Sequence, residues 1–91
     1  MLLFEWDEVK ARENLKRHKV PFDEGKTIFN DPLLLTCPDI DSSEAEERYI
    51  SIGLSVKNRV LVLIHTERQS KIRIISCRKA TAREKRHYEE G

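Results

Sequence analysis

Basic side chains are concentrated near the end of the sequence, where their types and spacing could bind phosphate. Arginine suits this chemistry because its planar guanidinium binds phosphate through two parallel hydrogen bonds and stays charged. A single acid, Glu84, lies between residues 71 and 86. The stretch indicates a phosphate-binding surface, although a solvated charge cluster explains the composition about equally well. Its cations are Lys71, Arg73, Arg78, Lys79, Arg83, Lys85 and Arg86.

The charge is unevenly distributed along a chain whose formal net charge is only +1. Residues 38–47 carry acids and no base. This separation favours one anion-binding surface over a polycation that coats nucleic acid indiscriminately. The acids are Asp39, Asp41, Glu44, Glu46 and Glu47.

If the bound anion is RNA and the protein cleaves it, the chemistry also needs groups that transfer protons. Metal-free cleavage requires a base for the 2′-hydroxyl, cations for the phosphorane and an acid for the leaving 5′-oxygen, and arginine supplies only the second role. Glu84 and Tyr88 are the best-placed pair because they lie four residues apart, on one helical face. Each has a structural alternative, Glu84 as a helix cap and Tyr88 as a ring packed on the sheet. The other candidates are His18, His65, Glu67 and His87.

The sequence has no pattern typical of metal or nucleotide binding. Its histidines show no HxxxH or HxH spacing, neither cysteine has a CxxC partner, and the acidic segment lacks the pattern of a calcium loop. Gly25, Gly53 and Gly91 are the only glycines, so there is no Gly-rich phosphate loop. His18 is interpreted as a cation at a helix C-terminus and His65 as a residue at a strand end. We therefore expect no metal and no cofactor.

Helices are predicted at the start of the chain. A short strand within LLFEW precedes a helix over residues 8–18, for which Asp7 is the N-cap. Ala11, Leu15 and His18 recur at helical spacing and are expected on one face of it. A second short helix fits FDEGKTIF, and a strand fits LLLTC.

The second half of the chain predicts a sheet followed by a helix. The segments RYISIGLS, RVLVLIHT and KIRIISCR are joined by short turns, which forces an antiparallel meander. The middle segment is apolar on both faces and needs cover on each. Thr81 and Glu84 form the capping box of a last helix. The predicted fold class is α+β: a central antiparallel sheet made of this meander and N-terminal strands, with two N-terminal helices and one C-terminal helix.

Strand alternation bears on the arginines of the last strand. On a strand without a bulge, Arg73 lies on the face opposite Ser76 and Arg78. Either arginine could then line a site, but not both.

The length of 91 residues supports one domain, residues 1–91. The sequence shows no export signal and no segment long enough to span a membrane, so we expect the cytoplasm. Cys37 and Cys77 each lie in an apolar segment and are interpreted as reduced core thiols.

Four segments in this order resemble the BrnT family of type II toxin–antitoxin systems: FEWDEVKARENLKRHKVPFDEG, IFNDP, EERYISIG and TERQSKIRIISCRKATAREKRHYEE. The combination of W-D, then N-L-x-x-H, then R-I-I-S-x-R before a basic helix carries the similarity. The resemblance implies a RelE-like fold and a metal-independent ribonuclease that inhibits translation. It also implies a small cognate antitoxin with a DNA-binding dimerisation domain, so that operator DNA is contacted only through the complex.

The resemblance also implies where the functional residues lie, on the late strands and the last helix. It implies a catalytic group, in which Tyr88 is an analogy with the C-terminal tyrosine of some RelE-like toxins, and cations that bind the RNA. The antitoxin is expected to cover the same basic corner. The catalytic group is Arg78, Glu84, Arg83, Arg73 and Tyr88, and the RNA-binding group is Lys79, Arg86, Lys71, Arg68 and His18.

Two other classes of function fit the same residues. A non-catalytic module that binds nucleic acid or antitoxin in operon autoregulation would lose affinity when Arg78 or Glu84 is replaced. An enzyme would lose toxicity while still folding and binding its partner. A structural subunit would leave growth unaffected when expressed alone.

Overall fold

The computed structural model describes residues 1–40 and 46–91. In these residues five strands form one sheet in the order β1-β5-β4-β3-β2. The strands are β1 (Phe4–Glu5), β2 (Leu35–Pro38), β3 (Tyr49–Leu54), β4 (Val60–Arg68) and β5 (Lys71–Lys79). The helices are α1 (Glu8–His18), α2 (Phe22–Gly25), which continues into a 3-10 helix (Lys26–Asn30), and α3 (Ala82–Glu90).

The α+β fold class is confirmed, with one difference in strand direction. Strands β2 to β5 are antiparallel to their neighbours, and β3–β4–β5 is the predicted meander. Strand β1 instead pairs parallel to β5, with Phe4 opposite Ile72 and Glu5 opposite Arg73. No short turn joins β1 to its neighbour, so the sequence could not fix its direction. The sheet is therefore mixed.

Helix α1 has the predicted bounds but buries a different face. Asp7 caps it by accepting a hydrogen bond from the Val9 N–H at 2.8 Å. Leu15, on the face predicted to carry Ala11 and His18, is 45% exposed, whereas Asn14 is buried at 8%. The Asn14 amide donates to the Cys77 carbonyl at 2.8 Å and accepts from the Cys77 N–H at 3.1 Å. The Asn14 amide thus forms hydrogen bonds with the main chain at the edge of β5, as a neighbouring strand would. The face of α1 that carries Asn14 therefore points toward the sheet.

The core lies between the sheet and the first two helices. Helix α2 approaches β5 closely, since a side chain at Gly25 would meet the Cys77 sulfur at 2.8 Å. The prediction that both cysteines are core residues was correct for Cys77 and wrong for Cys37, which is exposed on the edge strand β2. The fully buried cluster comprises Val20, Phe22, Ile28, Leu61, Leu63, Ile74 and Cys77.

The opposite face of the sheet is covered thinly. Helix α3 lies over it and contributes no buried residue of its own. The central strand is still protected, with Val62 only 1% exposed. Neither α3 nor any other helix of the described part has the length and apolar character needed to cross a bilayer.

Candidate functional site

A β-bulge in β5 decides which side chains can act together. Opposite β4, Ile64 pairs with Ser76 whereas His65 pairs with Ile74, which leaves Ile75 as an extra residue. The bulge reverses the alternation of side chains along β5.

As a result, the two arginines of β5 share a face. Arg73 lies opposite Thr66 and Arg78 opposite Val62, two positions on the same side of β4. The expectation for an unbulged strand, that they lie on opposite faces, does not hold. Ser76 lies between them on this face, away from the core, and α3 begins three residues after the end of β5 that carries Arg78.

Arg78 is held by Glu84, the first acid of α3. Its Nη1 donates to Oε1 at 2.7 Å and its Nη2 donates to Oε2 at 2.9 Å. Glu84 also accepts from the Thr81 N–H at 2.9 Å, and Thr81 Oγ1 accepts from the Glu84 N–H, so the predicted capping box is present. The hydrogen bonds from Arg78 lower the pKa of Glu84 to about 2. Glu84 is therefore ionised with both oxygens occupied, which suits a positioning group better than a base.

Arg78 nevertheless keeps donors for a ligand. Its side chain is 39% exposed, and its third contact is a 3.3 Å hydrogen bond from Nη1 to the Lys79 carbonyl. The Nε–H has no acceptor within residues 1–40 and 46–91. Because a guanidinium carries five N–H groups, one edge can bind Glu84 while the other binds phosphate.

The remaining cations of the sequence prediction fall into two sets. Arg73 contacts Glu5 at 3.3 Å, and Arg68 contacts Glu46 at 2.8 Å. The other set has no carboxylate within 4.0 Å among the described residues and is therefore available to an external anion. This set contains Lys71, Lys79, Arg83 and Arg86.

These cations do not all lie at one place. Lys71 and Arg68 face each other at the first end of β5, and Lys79 is at the other end, eight residues or about 25 Å away. His18 ends α1, a helix of the opposite layer. Lys79, Arg83 and Arg86 are thus the RNA-binding candidates nearest Arg78, while Arg68, Lys71 and His18 are peripheral.

Tyr88 anchors the far end of α3. Its hydroxyl donates to Asp31 Oδ2, which also accepts from the Leu54 N–H at 2.8 Å. The bond to Asp31 raises the pKa of Tyr88 to about 12. To act as an acid or base, Tyr88 would first have to leave this contact.

The histidine candidates of β4 and α3 differ in access. His65 is 5% exposed, packs between the rings of Phe29 and Tyr49, and contacts the Ser51 hydroxyl at 2.8 Å. Burial lowers the pKa of His65 to about 4, so it is a neutral core residue near pH 7. His87 is exposed on α3 and lies four residues after Arg83, on the same flank of the helix. The four-residue spacing between Arg83 and His87 is visible in the sequence and could have singled out His87 from the other proton-transfer candidates.

No group of three or more His, Cys, Asp or Glu side chains within the described ranges is arranged to hold a metal ion.

Comparisons with known proteins identify relatives in family and in fold. A family model described as the ribonuclease toxin BrnT of type II toxin–antitoxin systems matches residues 6–84. The crystal structure of the Brucella abortus ribonuclease toxin BrnT, at 1.1 Å resolution, superposes with a TM-score of 0.69. That match covers 89% of this chain and 99% of the other at 21% sequence identity, and it therefore shows the fold alone. No curated protein sequence matches the chain.

Proposed function

Because the chain belongs to the BrnT family of ribonuclease toxins of type II toxin–antitoxin systems, we propose that it cleaves RNA without a metal ion, inhibits translation in the cytoplasm and is neutralised by a cognate antitoxin. The observation that carries the site assignment is the bulge, since it turns Arg73, Ser76 and Arg78 to one face, at whose Arg78 end α3 begins. The partners proposed are the RNA substrate and the antitoxin. Operator DNA is contacted only through the antitoxin's DNA-binding dimerisation domain.

Arg78 and Arg83 bind the phosphate in this mechanism. Arg78 is held by Glu84 and presents its free edge, so it is oriented before substrate arrives. Arg83 has no carboxylate nearby in the described chain and adds a second guanidinium. Preorganised cations stabilise the extra negative charge of the phosphorane, and loss of one such donor costs about 100-fold to 1000-fold in rate.

His87 transfers the proton in this proposal: its imidazole takes the proton of the 2′-hydroxyl and, as imidazolium, gives it to the leaving 5′-oxygen. It is the exposed histidine on the flank of α3 that carries Arg83. Glu84 acts through Arg78 as a positioning residue, because its carboxylate is already bound by two guanidinium donors. Tyr88 can transfer a proton to or from RNA only if its hydroxyl first breaks the hydrogen bond to Asp31.

The outer cations steer RNA toward the junction. Lys79 and Arg86 contact flanking phosphates, and the peripheral set of Arg68, Lys71 and His18 adds to the local potential. Arg73 joins them by exchanging Glu5 for phosphate, which is feasible because this pair is long at 3.3 Å.

A binding module remains the second candidate function, and one observation favours it. Arg73 and Arg78 both contact the chain's own carboxylates, as expected for cations with a structural role. In that case replacement of Arg78 would weaken affinity for nucleic acid or antitoxin, and no RNA would be cut by the parent protein.

The test measures single-turnover cleavage of single-stranded RNA in EDTA by the parent protein and by variants at Arg78. Arg78→Ala is expected to be at least 100-fold slower. Arg78→Lys is expected to lose at least tenfold, since lysine cannot bind bidentately. Arg12→Ala is the matched control, because it removes an exposed arginine from α1 on the other layer. Cleavage by Arg78→Ala within threefold of the parent would remove Arg78 from the site.

A further inference from the structure

An apolar groove adjoins the proposed RNA site on the same sheet face, toward the C-terminal end of α3, and His87 belongs to both. Its volume is about 250 Å³. The floor comes from β2 and β3, where Leu35 pairs with Ile52 and Cys37 with Ile50. One wall comes from α3. The lining residues are Leu35, Thr36, Cys37, Ile50, Ile52, His87 and Gly91.

This groove is open because its neighbours cannot close it. Among residues 1–40 and 46–91, strand β2 is an edge of the sheet and pairs only with β3. Helix α3 contributes no buried residue, and within the described residues its side chains contact the rest of the fold through two polar pairs, Glu84 with Arg78 and Tyr88 with Asp31. Leu35, Ile50 and Ile52 remain only half-buried as a result.

The chemistry of the groove fits a protein segment rather than RNA. Its floor holds aliphatic side chains and a thiol, with no cation to bind phosphate. The Arg83 end of its α3 rim is positive, because Arg83 lies one turn before His87 and has no carboxylate within 4.0 Å in the described chain, whereas Glu90 lies on this flank one turn after His87. A complementary segment therefore carries apolar side chains for the floor and a carboxylate for the rim.

We propose that this groove is the docking surface of the antitoxin, which inserts apolar side chains between β2 and α3 and places a carboxylate against Arg83. The inference rests on the proposed function only in taking the antitoxin as the partner. Inhibition then follows because the bound segment removes Arg83 and His87 from the RNA site, while Arg78 keeps its contact with Glu84.

Cys37 provides a probe of the groove that needs no substitution. It is exposed on the floor, whereas Cys77 is buried at 0% exposure with its pKa raised by burial to about 12, so a maleimide modifies Cys37 alone. The experiment measures the alkylation rate of Cys37 in the isolated protein and in its purified complex with the cognate antitoxin. We expect at least tenfold slower alkylation in the complex. A Cys37→Ser, Lys16→Cys variant, with its thiol on exposed α1, is expected to react equally fast in both states.

A charge placed on the floor gives an independent measurement. Cys37→Glu is expected to weaken antitoxin binding at least 30-fold, because it blocks the groove and repels an acidic segment. Leu33→Glu adds the same charge at a site that is 67% exposed and outside the groove, and it is expected to change affinity less than threefold. Leu33→Glu should cleave RNA within threefold of the parent when no antitoxin is present, and Cys37→Glu is judged by its affinity for the antitoxin alone, because His87 also lines the groove.

The outcomes separate this inference from the proposed function. Equal alkylation of Cys37 with and without antitoxin, or unchanged affinity of Cys37→Glu, overturns the groove assignment even if the protein cleaves RNA. Protection of Cys37 in a protein that cuts no RNA supports the groove and rejects the ribonuclease. Concentration-dependent protection of the isolated protein, together with a dimer mass, would show that a second copy occupies the groove and would also overturn the inference.

Discussion

Replacement of Glu84 by glutamine separates a positioning residue from a general base. Glutamine keeps one oxygen for the Thr81 N–H, and T-x-x-Q is still a capping box. It removes the charged, two-bond contact with Arg78. If Glu84 only orients Arg78, RNA cleavage should fall less than tenfold. Loss of a general base costs about 100-fold to 10,000-fold.

The stability cost of Glu84→Gln should be small. A partly exposed ion pair contributes about 0.5 to 1 kcal/mol to the free energy of unfolding. For a domain of this size, each 1 kcal/mol lowers Tm by about 4 to 8 °C. A fall of roughly 2 to 8 °C is therefore expected, and a folded variant can be assayed at 25 °C.

The stabilisation lost in Glu84→Gln should depend on pH in a direction that follows from the lowered pKa of Glu84. The folded pKa of Glu84, about 2, lies below its ordinary value of 4.5, so the ionised form contributes stability at any pH above 4.5. That contribution is lost as the pH falls from 4.5 through 2. The Tm difference between the parent and Glu84→Gln should therefore be constant from pH 5 to 8 and shrink below pH 4.5.

The assay combines cleavage rates with melting curves, and Glu89→Gln on the same helix is the matched control. A 100-fold loss of cleavage by Glu84→Gln, with unchanged Tm and with Glu89→Gln fully active, would refute the assignment of Glu84 as a positioning residue. It would instead identify the carboxylate as a group that takes part in proton transfer.

Three further predictions concern the elements that hold the site. Asn14→Ala should reduce the free energy of unfolding by about 2 to 4 kcal/mol in urea denaturation, because the N–H and C=O of Cys77 lose buried partners, whereas Glu13→Ala should cost under 1 kcal/mol. The pKa of His65 is lowered from 6.5 to about 4, so the free energy of unfolding should be highest above pH 6.5 and fall as the pH drops from 6.5 to 4. His65→Phe should reduce this dependence on pH. An equal dependence in both proteins would contradict the argument that burial lowers the pKa of His65. Tyr88→Phe removes the hydrogen bond to Asp31 and should lower Tm by about 4 to 8 °C while cleavage stays within tenfold; a 100-fold loss would instead make Tyr88 catalytic.

Local signals predicted the elements of the fold well. Asp7 and the Thr81–Glu84 box each act within one helical turn, so the starts of α1 and α3 could be placed from sequence. The meander followed from short turns that leave adjacent strands no other direction. These predictions depend on neighbouring residues only.

Long-range packing decided the features that sequence did not predict. The bulge at Ile75 lets both Ile74 and Cys77 face the core, and alternation alone could not reveal it. The Asn14 contact with Cys77 joins residues 63 apart in the chain. The buried Glu24 is bound by Arg59, 35 residues away, and by Ser55.

The candidate site was predicted in composition but not in arrangement. The cation cluster and Glu84 were identified from residue types, and the capping alternative for Glu84 is present in the structure. The shared face of Arg73 and Arg78 depends on the bulge, and the tether of Tyr88 depends on Asp31, 57 residues earlier. Such geometry follows from the tertiary fold, which no local pattern encodes.

Cleavage of a defined single-stranded RNA in EDTA by the purified, folded protein tests the central claim most directly. The account predicts 2′,3′-cyclic phosphate and 5′-hydroxyl ends, no cut where the attacking nucleotide is 2′-deoxy, and at least a 100-fold slower reaction with Arg78→Ala. Intact RNA after prolonged incubation with the folded parent protein, or cleavage that is independent of Arg78, would contradict it.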